Sequence, residues 1–335
     1  MARGRGMQVR EICREFIDSD VIEAIPFGDG HINDTYRVTT RDGVYILQCV
    51  RKAIDVGRLE HNYKLYSGVC EKAGMAFPTW LKSRAGAYFH EDVSGEHWRM
   101  YPWIEGEVLE APLSEEALLA CGRGLARMHT ILRTITKKPI ATYPMLHDVS
   151  HYYDRYLRVI GADEKPGEAG ENMGAATATS ELSGAPRDAA IEELIHANAA
   201  EFLNLQLDKS KVIHGDPKLA NMLFQDGEVR AFLDFDTVMQ GSLLEDLTDC
   251  IRSCCIQNGK VDQEAAKSLM LGYLTEAPDL LSEAEIALLP TVVRKLCFEL
   301  GLRYYTDAIA KEKSFKEKYP GYLLEKARRY FAILQ

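Results

Sequence analysis

Apolar and polar positions alternate in short runs through the first hundred residues. Ile22–Phe27 and Thr35–Thr40 carry the two-residue period of a half-buried strand, and Val44–Val50 (VYILQCV) reads as a third strand. The Gly-rich GDGHIN run at Gly28–Asn33 joins the first two, and Arg41-Asp42-Gly43 joins the next pair. Ala87–His90 and His97–Trp103 flank Asp92–Glu96 (DVSGE), a hairpin signal. Helical spacing predicts a helix over Val9–Asp18 and a longer one over Leu59–Lys72, the latter with Leu59, Tyr63, Tyr66 and Cys70 on one face. Residues 1–103 therefore read as a small α+β lobe.

Beyond a connector at 104–108 the pattern turns mainly helical, and residues 109–335 form the larger lobe. Ser114 is placed as N-cap of a helix through Leu132, with Leu118, Cys121, Leu125 and Met128 at helical spacing. Further helices are expected at Asp148–Val159, Ile191–Leu207, Leu243–Gln257, Gln263–Thr275, Ser282–Asp307 and Pro320–Leu334. Gly161–Arg187 is rich in Gly, Ala, Glu, Ser and Thr without periodicity, and is expected to be a mobile surface insertion.

Val212–Thr237, VIHGDPKLANMLFQDGEVRAFLDFDT, concentrates the candidate chemistry. It reads as strand, loop, strand, turn, strand, and carries His214, Asp216, Lys218, Asn221, Asp234 and Asp236. Phosphoryl transfer needs a carboxylate that orients the attacking hydroxyl, plus oxygen ligands that hold Mg²⁺ against phosphate. Asp216 fits the first role; Asn221 and Asp234 are hard oxygen ligands suited to the second. Lys218 is placed to neutralise the transferred phosphate. His214 is expected to brace the loop. Asp246 and Asp249 are expected to anchor the loop carrying Asp234. Gly28, Asp29 and Gly30 form a candidate phosphate-facing turn, because glycine permits close backbone approach. A Walker-type GxxxxGK[ST] loop is absent from the sequence. His31 beside that turn could contact a hydroxyl, and Arg252 and Arg303, on later helices, are further candidate substrate contacts.

Composition narrows the partners. Of 335 residues, 46% are hydrophobic and 27% charged, enough for a sizeable core. The formal net charge of −10, with no long Lys/Arg block, argues against nucleic acid. MARGRG has no apolar stretch behind it, and no run reaches the roughly 18 residues of a membrane span, so a soluble cytoplasmic protein without membrane or obligate protein partner is expected. Eight scattered cysteines, none in a zinc-type CxxC pair, read as buried thiols; Cys250 and Cys254 are spaced to face each other on a helix.

Gly28–Thr40 (GDGHINDTYRVTT), Tyr45–Gln48 (YILQ), His214–Leu223 (HGDPKLANML), Leu233–Arg252 (LDFDTVMQGSLLEDLTDCIR), Glu299–Ala308 (ELGLRYYTDA) and Lys318–Tyr322 (KYPGY) together resemble the N-acetylhexosamine 1-kinases of the aminoglycoside phosphotransferase and choline kinase group. The resemblance implies an α+β, bilobal protein-kinase-like fold: a β-rich N-lobe with one long helix, a hinge at 104–108 and a mainly helical C-lobe. It implies ATP and Mg²⁺ as cofactors, and a sugar as acceptor, phosphorylated at the anomeric hydroxyl of N-acetylglucosamine or N-acetylgalactosamine. Carried over by motif, Asp216 is catalytic and Asn221 and Asp234 bind metal, while His31, Asp236, Arg303 and Tyr319 fall where similar enzymes hold the sugar. Trp103, Ile104 and Glu105 would meet adenine through their main chain. Most kinases place a cation on the third strand against the ATP phosphates; here Gln48 takes that place. Arg51, Lys52 or Lys218 could compensate. Two other readings stay open: a choline, ethanolamine or aminoglycoside kinase, suggested by the negative charge and by Tyr152, Tyr153, Tyr304 and Tyr305, and a kinase-fold binding or scaffold protein, suggested by Gln48.

Overall fold

The computed structural model describes residues 2–28, 33–161, 185–257 and 259–335, with side chains from Gln8 onward. The chain opens with helix α1 (Ala2–Cys13), followed by strands β1 (Val21–Pro26), β2 (Asp34–Thr40) and β3 (Val44–Val50), helix α2 (Val56–Ala73), and strands β4 (His90–Glu91) and β5 (His97–Pro102). These strands form one antiparallel sheet in the order β1-β2-β3-β5-β4. Its buried face packs Val38, Leu47, Trp98 and Met100 against Val9, Ile12 and Cys13 of α1. The helix stops at Cys13 rather than running to Asp18, because Phe16 and Ile17 leave it to pack on this same cluster.

Leu59, Tyr63, Tyr66 and Cys70 of α2 are all buried, as their spacing requires. Asp55 caps the helix start by accepting from Gly57 N and Arg58 N, and Gly74 ends it in the left-handed conformation. The expected hairpin before β5 is reduced to two residues. Ser83 and Ala87 close a local turn instead (Ser83 N to Ala87 O 2.7 Å), which removes that stretch from the ladder.

The C-lobe continues with α3 (Glu115–Leu132), α4 (Val149–Ile160), α5 (Ala189–Leu203), β6 (Lys211–Ile213), β7 (Met222–Gln225), β8 (Glu228–Phe232), β9 (Met239–Gly241), α6 (Leu243–Cys255), β10 (Ile256–Gln257), β11 (Lys260–Val261), α7 (Gln263–Glu276), α8 (Glu283–Ile309) and α9 (Tyr322–Phe331). Ser114, Ser242 and Ser282 cap their helices, the last two in capping boxes with Glu245 and Glu285. α3 and α7 approach at glycine: an added Cβ on Gly122 would lie 2.0 Å from Leu269 O, and one on Gly272 2.2 Å from Leu119 O. α6 is buried along almost its whole length and runs beneath the loop that follows β6. A second apolar cluster joins α4, α5, α8 and α9 through Tyr156, Ile195, Phe298 and Phe331.

Of the expected insertion, Gly161 ends α4 in the left-handed conformation, while Ala185 N bonds Ala308 O at 2.7 Å and Arg187 pairs with Glu192. Residues 162–184 lie outside the described residues. All eight cysteines are buried thiols, and Cys254 of α6 reaches across to Cys121 of α3 at 3.9 Å. No described helix is long and apolar enough to cross a membrane.

Candidate active site

β6 delivers the chain into His214-Gly215-Asp216, and a buried carboxylate on α6 holds that turn. Asp246 accepts from His214 N at 2.8 Å (Oδ2) and from Gly215 N at 2.8 Å (Oδ1), and His129 Nε2 lies 3.0 Å from Oδ2. Burial alone would raise this carboxyl, yet the hydrogen bonds and the His129 ring hold it below the usual carboxylate range. Asp246 thus anchors the loop carrying Asp216, not the one carrying Asp234 as the sequence suggested. Asp249, one turn along, is also not a loop anchor: its Oδ1 accepts from Arg252 Nε at 2.7 Å.

His214 fastens the two loops together. Its Nε2 lies 2.9 Å from Leu233 O, its Nδ1 accepts from Asp216 N at 3.2 Å, and Thr237 Oγ1 donates to His214 O at 2.8 Å. That arrangement suits a neutral ring protonated on Nε2, and burial pushes the imidazole below its ordinary range. Gly215 has φ 87°, and a Cβ there would stand 2.6 Å from Thr237 O, so glycine alone lets the loops close on each other.

Asp216, Lys218, Asn221 and Asp234 come together at this junction. Asn221 Nδ2 donates to Asp216 O at 2.8 Å and to Asp216 Oδ2 at 3.1 Å, while Lys218 Nζ pairs with the same Oδ2. A short 3₁₀ turn (Leu219–Asn221) between Lys218 and β7 sets this spacing. β7 and β8 then fold back through Asp226-Gly227, both at positive φ, as a two-residue hairpin requires. At the end of β8, Asp234 sits in the left-handed region (φ 62°), which is uncommon outside glycine and turns its carboxylate out to the cleft. Enclosure by the cleft walls, then the Asp236 and Asp216 carboxylates, push the Asp234 carboxyl up to about 7, against the pull of Lys218 and Arg99. Burial works against the Lys218 charge, but Asp216 and Asp234 outweigh it and hold the ammonium above its ordinary range.

These donors fit a magnesium-bound nucleotide. Asn221 directs its NH₂ inward to Asp216, which leaves its oxygen for a ligand, and Asp234 offers a carboxylate crowded by like charge. Among the described residues no three His, Cys, Asp or Glu side chains converge on one point. Mg²⁺ ordinarily takes one or two protein oxygens, with phosphate and water completing its shell.

The structure gives Asp236 a different partner from the expected sugar. Both its oxygens are held by Arg99 of β5, at 2.6 Å to Nη1 and 2.8 Å to Nη2, and Asn33 Nδ2 adds a contact at 3.3 Å. With 4% exposure, Asp236 has no face left for an acceptor. Gln48 points to the same place: its Oε1 accepts from Arg99 Nε at 2.9 Å and its Nε2 donates to Thr35 Oγ1 at 3.2 Å. Arg99 escaped the sequence reading, although one cation within the apolar run Trp98–Tyr101 was its signal. Asn62 of α2 escaped it too; its Nδ2 reaches Ile140 O at 2.8 Å and Val238 O at 3.1 Å. Of the proposed compensating cations, Lys52 donates to Ser94 O at 2.8 Å and so reaches away from the phosphate side.

The other expected contacts divide. Gly28 has φ 78°, as a glycine turn needs, whereas Asp29, Gly30 and His31 lie outside the described residues. The Trp103 N–H is taken up by Val44 O at 2.9 Å, so that donor is not open to a base. The Trp103 ring instead meets Phe27 edge-on (5.4 Å) and lies under Arg37 (5.1 Å). Arg252 is committed to Asp249 and to Tyr330 Oη (3.3 Å). Arg303 contacts the rings of Tyr152 (4.6 Å) and Phe315 (5.1 Å), and stands 3.6 Å from Glu299. Tyr319 is not gathered to the Asp216 group by any of these contacts. Its hydroxyl donates to Glu325 at 2.8 Å, and it edges a cavity of about 580 Å³ with Ala308, Lys313 and Leu324.

Comparison with known proteins agrees with this architecture. A homoserine kinase of Gluconobacter oxydans (strain 621H) is 25% identical over 285 residues, 82% of this chain and 78% of that protein. A homoserine kinase of Polaromonas naphthalenivorans (strain CJ2) is 32% identical over 97 residues, 28% of this chain and 30% of that protein. Among solved structures, a microcompartment-associated aminopropanol kinase superposes with TM-score 0.66 at 16% identity, covering 97% of this chain and 94% of that one. An amicoumacin kinase solved with AMP-PNP, Ca²⁺ and Ami gives TM-score 0.64 at 14% identity, covering 99% and 94%. The fold is thus that of the small-molecule kinases, with an antiparallel sheet in the N-lobe and a helical C-lobe. The phosphotransferase enzyme family matches residues 23–279, most of the chain, and this protein belongs to that family.

Proposed function

We propose that the protein is a small-molecule kinase that transfers the γ-phosphate of ATP to the anomeric hydroxyl of an N-acetylhexosamine. The observation that supports phosphoryl transfer is the convergence of Asp216, Lys218, Asn221 and Asp234 on two loops pinned by Asp246 and His214. Asp216 accepts the proton of the acceptor hydroxyl as its oxygen bonds to the γ-phosphorus, and the bond from phosphorus to the β–γ bridging oxygen breaks to release ADP. Lys218 offsets charge on the moving phosphoryl group. Asn221 and Asp234 would hold Mg²⁺, which when bound shields the phosphate charges from the incoming oxygen. Positioning carries most of the rate gain in this chemistry, so the rigid anchoring of both loops matters more than the basicity of Asp216.

The sugar assignment rests on the resemblance at Gly28–Thr40 and Leu233–Arg252. Arg303 supports a polar acceptor. It is partly exposed, contacts two aromatic rings and pairs with Glu299, so its guanidinium is available to a hydroxyl, amide or carboxylate. A second reading has its own support: the Gluconobacter relative, which aligns over 82% of the chain, is a homoserine kinase. Homoserine presents a primary hydroxyl to be phosphorylated and a carboxylate for such an arginine. Phosphorus NMR of the protein with Mg-ATP and, separately, N-acetylglucosamine, N-acetylgalactosamine, homoserine, choline and kanamycin separates the readings. An α-anomeric sugar phosphate is expected. O-phosphohomoserine alone would replace the sugar reading, and no product from any acceptor would remove both.

A further inference from the structure

Strand β3 carries no cation at the position where Gln48 points inward, but the adjacent strand does. Gln48 and Arg99 are directly paired in the β3–β5 ladder, so their side chains leave the same face of the sheet. Arg99 is 3% exposed, and all three of its donor groups are used: Nε on Gln48, the two terminal nitrogens on Asp236. The Trp80 ring backs the guanidinium at 4.7 Å. Asp236 stands two residues past Asp234, on the 3₁₀ turn Phe235–Thr237. We propose that Arg99 is a positioning residue for phosphoryl transfer: from β5 it supplies the counter-charge for Asp236 that Gln48 on β3 cannot, and through that clasp it sets the metal-facing Asp234.

The physical argument has two parts. A buried carboxylate two residues from a metal ligand needs a fixed counter-charge, or it repels that ligand and competes for the cation. A bidentate guanidinium is the group that fixes both the charge and the angle of a carboxylate. The clasp also joins the lobes, since Arg99 belongs to the N-lobe sheet and Asp236 to the loop after β8. An ion pair serving stability alone would predict a different result, because it would not need to speak to the metal. The inference rests on the kinase reading but not on the acceptor.

The test uses the full chain with Mn²⁺ and AMP-PNP, reading free Mn²⁺ by electron paramagnetic resonance, so no acceptor is required. Arg99→Met is expected to weaken Mn²⁺ binding in the presence of AMP-PNP at least about tenfold, while AMP-PNP affinity in EDTA stays within about threefold. With an accepted substrate, kcat should fall about 100-fold, with acceptor KM within about threefold. Arg99→Lys should retain part of the metal affinity. Gln48→Lys combined with Arg99→Met should recover about tenfold in kcat, because it restores a cation one strand away. A folded Arg99→Met protein that binds Mn²⁺ like the parent would overturn the proposal. Should Arg99→Met fail to fold, Asp236→Asn, which keeps shape and volume, decides in the same way: unchanged Mn²⁺ affinity overturns it, and a tenfold loss supports it.

Discussion

His147 Nε2 lies 3.0 Å from the Gly215 carbonyl oxygen, so a residue from the loop before α4 touches the turn that presents Asp216. The His147 backbone has φ 60°, uncommon for a side chain of its size, and the ring is 5% exposed. Its other nitrogen, Nδ1, stands 3.8 Å from Glu299 Oε2 on α8, an ion pair rather than a hydrogen bond. Lys295 and Lys209 approach the His147 carbonyl at 3.4 and 3.5 Å, and both pair with Glu245. A set of charges, all buried but Lys209, therefore links α6 and α8 to the turn that carries Asp216.

That set carries a pH dependence. Burial argues against a charged imidazole, but Glu299 outweighs it and brings His147 to about 9 from an ordinary 6.5. Glu299, also buried, is held down to about 2 from 4.5 by the same pair. The histidine's contribution to stability is complete below pH 6.5 and is lost as the pH rises through about 9. The glutamate's is complete above 4.5 and is lost as the pH falls through about 2. Melting temperatures of the parent and His147→Gln should differ most near pH 6 and converge above about pH 9.5. A constant gap across that range would show that His147 acts by shape alone.

Asp246→Asn should disorder the catalytic turn, because an amide nitrogen would face a backbone N–H that now has an acceptor. One unpaired buried donor costs ~1–3 kcal/mol. Urea unfolding should show that loss, and turnover should drop about tenfold or more, since the turn carries Asp216. Full activity in a variant destabilised by this amount would separate the anchor from the chemistry.

Asp216→Asn should lower turnover by roughly 10²–10⁴-fold, the range for removing a group that takes a proton in the transition state. Mg-ATP affinity, measured by calorimetry, should change little. Loss of nucleotide binding in step with activity would mean that the substitution collapses the site instead.

Gly272→Ala tests the close approach of α3 and α7. The new methyl would meet the Leu119 carbonyl, and backbone cannot swing aside as a side chain does. A loss of ~1–3 kcal/mol or more is expected in urea unfolding, with Mg-ATP affinity of the folded protein unchanged. Unaltered stability would show that α3 and α7 can separate freely.

Local chemistry was legible residue by residue. Helix faces such as Leu59, Tyr63, Tyr66 and Cys70, the cap at Ser114, and the strand–loop–strand order around His214 and Asp234 follow from periodicity and short-range hydrogen bonding, which a sequence carries directly. The grouping of Asp216, Lys218 and Asn221 was visible for the same reason, since all lie within one loop. Partnerships across long sequence separations were not. Asp236 was carried over as a sugar contact from the family resemblance, and nothing in its neighbourhood announces Arg99, 137 positions away. Asp246 was assigned to the wrong loop, because only the packing of α6 under β6 decides which backbone amides it meets. The sequence by itself determined most of the elements, their order and the candidate residues for phosphoryl transfer. Tertiary structure alone decided which buried charge faces which, because burial removes the solvent that would otherwise satisfy every charge, and each must then find its counterpart wherever the chain brings one.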